Sequence, residues 1–173
     1  MSRMLVSIAF FFATFPSFVA AGDFRLADAL MKSCLQTFSE VLIETLEKVT
    51  DESTLIDVRG AASQDVALCA GLAIDVCSVG ILESQDQCFS KLEMSIDEIR
   101  QKTITNLPET ISGTFRSRSY RFAFARAKEP AIRLDPSPTV PPQLTSVLSE
   151  AMRLADARTA QRLQIYAQRE VQE

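Results

Sequence analysis

Histidine is missing from all 173 residues, and that absence excludes more chemistry than any motif present suggests. Without an imidazole there is no Ser-His-Asp triad, no Cys-His pair, no His-ligated zinc or iron and no histidine pH switch. Carboxylate acid–base chemistry stays open, and so does a serine–lysine arrangement, although no motif marks one. Tryptophan is also absent, and glycine occurs only 5 times. Scarce glycine, with apolar residues recurring at three-and-four spacing, predicts an all-α chain. The cysteines are Cys34, Cys69, Cys77 and Cys88, and no two form a Cys-x-x-Cys pair. That removes the usual signature of a zinc site or a thioredoxin-like redox centre.

What is present begins with an export signal. Arg3 gives a short positive start, Met4 to Phe15 is an apolar run, and Pro16 leads to Val19-Ala20-Ala21 ahead of Gly22. This pattern predicts a signal peptide over residues 1–21, cleaved before Gly22. Met4 to Ala21 also has about the minimum length of a membrane anchor, but Pro16 and the small residues before Gly22 favour cleavage. No cysteine lies near Gly22 to mark a lipoprotein, so a soluble periplasmic or secreted product is expected. No later apolar stretch is expected to span a membrane. An oxidising compartment turns the four cysteines into disulfide candidates.

The chain after residue 21 divides into a disulfide-linked helical domain over 22–127, a proline-rich linker over 128–142 and a C-terminal amphipathic helix over 143–173. From Asp23 to Val49, Ala27, Leu30, Met31, Cys34, Phe38, Val41, Leu42 and Leu46 trace one apolar stripe. Ser53 or Thr54 caps a second helix running to about Val79, where Gly80 supplies a left-handed stop. Its inner face is read as Ile56, Arg59, Gly60, Ser63, Val66, Ala67, Ala70, Ile74 and Cys77. Ser84-Gln85-Asp86-Gln87 reads as a capping box opening a third helix, with Cys88, Leu92, Ile96, Ile99 and Thr103 turned inward to about Thr105.

Pro108 is placed to start a further helix. The basic and aromatic run that follows, Phe115 to Arg126, fits a nucleic-acid or anionic-membrane surface. A helix burying Phe115, Tyr120 and Phe122 explains the rings more simply, and nucleic acid is not the expected partner. Prolines 130, 136, 138, 141 and 142 make the linker extended. Beyond it, Leu144, Val147, Leu148, Ala151, Met152, Ala155, Leu163, Tyr166 and Ala167 form an interrupted stripe. Arg153, Arg158, Arg162 and Arg169 lie beside it. This tail either docks in part on its own domain, the favoured reading, or grips a partner.

Four cysteines allow three complete pairings, and sequence alone does not choose among them. A hairpin of the second and third helices ranks them, because it brings Cys77 and Cys88 to its turn and leaves Cys69 to face Cys34. The expected bridges are therefore Cys34–Cys69 and Cys77–Cys88. Charge is also unevenly spread. Gly22 to Thr110 holds sixteen acidic against seven basic residues, whereas Ile111 to Glu173 holds ten basic against six acidic. A solvated acidic face is the simpler and favoured reading of this split; the sharper one is a docking field for a cationic partner, which would chiefly speed association.

Cys34-Leu35, Cys69-x7-Cys77 and Cys88-Phe89 followed by Glu93 and Ile96-Asp97 resemble the LprI-like family of small exported bacterial proteins, named for a lysozyme inhibitor. The resemblance covers residues 28 to about 105. It departs at Arg100-Gln101, where the family usually shows Leu-Asn, and at Gly80, which stands alone where a Gly-Gly-rich turn is usual. It implies export, disulfides and a helical fold, with lysozyme inhibition as the sharpest function. The expectation is a non-enzymatic protein-binding module of the cell envelope, with no cofactor and no metal, and with a protein partner, cationic in the simplest case. The alternatives are a periplasmic enzyme using paired carboxylates and an assembly factor that binds through its C-terminal helix.

Overall fold

The computed structural model describes residues 23–46, 53–79, 82–111, 114–130 and 140–170; within these, side chains at 40–46, 53–59, 82–83, 114–117 and 169–170 are not described. The expected signal peptide, Gly80 and most of the proline linker lie outside the described residues. Five helices and no strands are found among them: α1 (Phe24–Leu46), α2 (Ser53–Ser78), α3 (Leu82–Thr105), α4 (Thr114–Lys128) and α5 (Pro142–Glu170). The all-α class therefore holds.

Asp23 stands just before α1 and accepts the Arg25 backbone N–H on its Oδ1 at 2.9 Å, satisfying one of the donors a helix start leaves open. The buried face of α1 is Ala27, Met31 and Leu35. Leu30, read from the sequence as inner, is instead 37% exposed, because the contact face follows Met31 and Leu35 rather than the other edge of the stripe. On α2 the buried line is Ala62, Val66, Cys69, Ala70, Ala73 and Cys77. Ser63 and Ala67, also expected inside, are exposed.

α3 begins at Leu82, so Ser84 lies inside its first turn and is not the N-cap the sequence predicts. The amide acting at this corner is that of Gln85, whose Nε2 donates to the Ser78 carbonyl at 2.8 Å and closes the end of α2. Pro108 starts no helix. Residues 107–111 form a corner, α4 begins at Thr114, and the Pro108 carbonyl accepts a hydrogen bond from the Tyr120 hydroxyl. Burial of that ring pushes the Tyr120 pKa up to about 12. Tyr120 is fully buried, but Phe122 is 53% exposed and faces Arg126, whose guanidinium carbon is 5.6 Å from the ring centroid. Only part of the expected aromatic burial is realised.

α5 starts on Pro142, whose missing N–H costs nothing at a first helical position. It packs along α2, α3 and α4, so the tail is a structural centre and not an appendage. Its front half, with Val147, Ala151, Leu154 and Ala155, joins Met31, Leu35, Val66, Leu92 and Ile96 in one core. Further along, Ala157, Ala160 and Leu163 join Ile104, Tyr120, Ala123 and Phe124 in a second core. Two apolar clusters thus share one helix, which links the disulfide-bonded hairpins to α4.

One expectation about membranes needs correcting. Gly60–Ser78, within α2, is long and apolar enough to cross a bilayer by length and composition, with mean hydropathy 1.2. Its surroundings identify a packed helix. Cys69 and Cys77 bond it to its neighbours, and the Asp65 carboxylate is ion-paired with Arg162 of α5.

Candidate functional site

Two sulfur bridges hold α2 between its neighbours. Cys34 of α1 bonds Cys69 at an S–S distance of 2.07 Å, and Cys77 bonds Cys88 of α3 at 2.01 Å. This is the pairing that the hairpin geometry ranks first. No free cysteine remains, so sulfur serves here as a cross-link. Sequence separations of 35 and 11 residues correspond to about 3 to 4 kcal/mol of stabilisation per bridge on the loop-entropy account.

The second set of ties was hidden from sequence reading. Arg100 of α3 is 3% exposed. Its Nε donates to Glu150 Oε1 of α5 at 2.7 Å, its Nη1 to the Ala127 carbonyl of α4 at 2.8 Å, and its Nη2 to Asp97. Arg153 closes on the other Glu150 oxygen at 2.7 Å. Arg162 reaches Asp65 of α2, Arg158 the Ser39 hydroxyl of α1 at 2.7 Å, and Asp156 takes Arg126 of α4 at 3.0 Å. Each of the other four helices is therefore joined to α5 by a polar contact. Arg153, Arg158 and Arg162, which the sequence sets beside the apolar stripe, are internal connectors.

Carboxylates cluster around Arg100. Burial first, then the charges of Glu150 and Asp97, push Glu93 above its ordinary value. Burial also pushes Asp97 up, but its bonds to Glu150 and Arg100 and the charges of Arg100 and Arg153 together outweigh that, and the net direction is down. A raised carboxylate beside two others is the arrangement an acid–base enzyme would need. None of Glu93, Asp97 and Glu150 lines any of the three described cavities, and Glu150 is committed to the guanidiniums of Arg100 and Arg153 and Asp97 to that of Arg100. The Asp97-Glu98 pair does not converge either, since Glu98 is exposed and Asp97 turns to Arg100.

Among the described residues, a concavity lies between α2 and α5. It measures about 550 Å³, and its walls are Val66, Ala67, Ala70, Gly71 and Ile74 of α2 against Leu148, Ala151, Met152 and Ala155 of α5, with the Arg126–Asp156 ion pair among the lining. The small residues create it. A Cβ built on Gly71 meets nothing within 4 Å, and alanines at 67, 70, 151 and 155 keep the helices from filling the space. Leu148 and Met152 remain 40% and 50% exposed there. This volume falls within the range of ligand pockets, and its wall is mostly apolar with one charged pair. The small residues of α2 named in the sequence analysis thus do mark a helix contact, but one left partly open. Comparison of the chain with family models, with characterised proteins and with solved structures finds no match.

Proposed function

We propose that the protein is an exported, non-enzymatic binding module whose α2–α5 groove receives the apolar side of an amphipathic helix from a cationic protein partner. The observation that carries this reading is the groove itself, apolar, open and with Leu148 and Met152 exposed in its lining. Water leaves such a surface when a partner covers it, at about 1.5 to 3 kcal/mol for each large apolar side chain buried. Two or three such anchors on one helix face suit a groove between two helices.

Charge selects among partners that could fill the same space. Part of the acidic excess of residues 22–110 is answered within the chain, since Arg162 covers Asp65 and Lys32 covers Asp28 at 2.7 Å. Asp75, next to groove-lining Ile74, is exposed and carries no ion pair among the described residues. A basic flank on the partner therefore finds unpaired carboxylate beside the apolar anchors. The two bridges fit an oxidising compartment, and with the apolar leader they support a periplasmic or secreted setting. Lysozyme inhibition is the sharpest form of this proposal, resting on the resemblance over residues 28 to about 105.

Titration of the oxidised protein with a designed lysine–leucine amphipathic helix, and separately with lysozyme, tests the reading. Saturable binding that weakens as salt rises is expected. Failure of both ligands to bind at low salt removes the proposal, and inhibition of lysozyme without binding of the peptide would move the contact away from the groove.

A further inference from the structure

We infer that a second, polar cavity between α1, α3 and α5 binds a small hydroxylated organic anion, carboxylate or phosphate, with Arg158 and Lys102 as its cationic contacts. This cavity measures about 480 Å³ and is lined by Lys32 of α1, by Glu98, Lys102 and Asn106 of α3, and by Arg158 and Gln161 of α5. Three helices thus bring Lys32, Lys102 and Arg158 together beside Glu98, with Lys32 also paired to Asp28 at 2.7 Å.

Arg158 is the unusual member. The other described arginines of α5 each hold a carboxylate, Arg153 that of Glu150 and Arg162 that of Asp65. Arg158 has only the Ser39 hydroxyl, and among the described residues no carboxylate lies within ion-pair distance of it; its buried Nε–H, like those of Arg153 and Arg162, has no acceptor among them. Burial first, then the nearby charge of Arg162, hold its pKa below the ordinary value, with Asp65 offsetting only part. Partial burial of a guanidinium with no carboxylate beside it among the described residues is unfavourable. An incoming oxyanion supplies the missing charge through bonds stronger than neutral ones.

The rest of the lining narrows the chemistry. Lys102 is exposed and has no ion pair among the described residues, so its ammonium is available as a second contact. Gln161 offers amide hydrogen bonds beside Arg158. Glu98 would repel a bare polyanion but accepts a hydrogen bond from a hydroxyl, which favours an anion that carries one. The volume exceeds what a single phosphate fills and leaves room for an organic body.

Citrate and glycerol phosphate, titrated calorimetrically at constant ionic strength into the oxidised full chain, are suitable probes. Saturable one-to-one binding of either is expected, and the stronger of the two assigns the anionic group. Lys102→Glu and Arg158→Gln should each weaken it by about tenfold or more, the usual effect of losing a charge-assisted contact. Lys91→Glu, an equal charge change at an exposed α3 position outside the cavity, should leave it nearly unchanged. Lys102 is exposed, so its variant keeps the test open if Arg158→Gln does not fold. No saturable binding of either anion, or equal loss in Lys91→Glu and Lys102→Glu, overturns the assignment.

Discussion

Replacing Arg100 by methionine tests whether α5 is integral to the fold. The side chain is 3% exposed and the Glu150 side chain it meets is 4% exposed, so neither charge has water to fall back on. Arg100→Met removes the bonds to Glu150, Asp97 and the Ala127 carbonyl together. It leaves Glu150 buried beside the carboxylates of Glu93 and Asp97, with Arg153 as its remaining cation. Removing one partner of a buried ion pair costs about 3 to 5 kcal/mol, mostly through the charge left behind. For a domain of this size 1 kcal/mol moves Tm by about 2 to 4 °C, so a fall of roughly 6 to 20 °C is expected. Urea unfolding of Arg100→Met, Glu150→Met and the double variant measures this as a double-mutant cycle. The double variant should recover part of the loss, because a methionine pair leaves no orphaned carboxylate. A loss under about 1 kcal/mol for Arg100→Met, with additive single effects, would show that the contact behaves as an exposed ion pair and would refute the reasoning.

Two further outcomes follow from the same geometry. Glu93 binds its proton more tightly in the folded than in the unfolded chain, so its favourable contribution is present below the ordinary glutamate value of 4.5 and is lost as pH rises through the folded value. Glu93→Gln should therefore match wild type in acid and become the more stable protein above that range; urea midpoints that diverge in the opposite sense contradict the assignment. Joint replacement of Cys34 and Cys69 by serine should cost about 3 to 4 kcal/mol and free α1 from α2, and hydrogen exchange that accelerates across α1 more than across α4 is the expected signature.

How much of this was legible from the sequence depended on whether the contact was local. α1, α2 and the disulfide pairing follow from apolar spacing and from the hairpin that puts Cys77 near Cys88, all within one or two neighbouring helices. The role of α5 was not legible. Arg153, Arg158 and Arg162 were placed beside the stripe without partners, because Asp65 and Ser39 lie 97 and 119 positions away and Glu150, three positions from Arg153, is needed at once by Arg100. Arg100 itself was visible in the third helix, and its partner was not. Leu30, Ser63 and Ala67 were placed inside by helical spacing and Phe122 by its ring, whereas which edge of a broad stripe is covered depends on the helix packed against it. Pro108 fitted a helix start by rule, but its carbonyl is committed to Tyr120. The groove had a signal, the run of small residues on α2, which shows where helices approach and not whether they close.

The groove is tested most directly by filling it. Gly71 has open space over its α-carbon and a helical neighbourhood, so Gly71→Met adds a side chain to the cavity and gains helix propensity by about 0.5 to 1 kcal/mol. Fluorescence titration with the lysine–leucine helix, beside a thermal melt of both proteins, separates blockage from misfolding. The account predicts a variant at least as stable as wild type that has lost binding of the peptide. A stable Gly71→Met protein that binds the peptide as wild type does would contradict it.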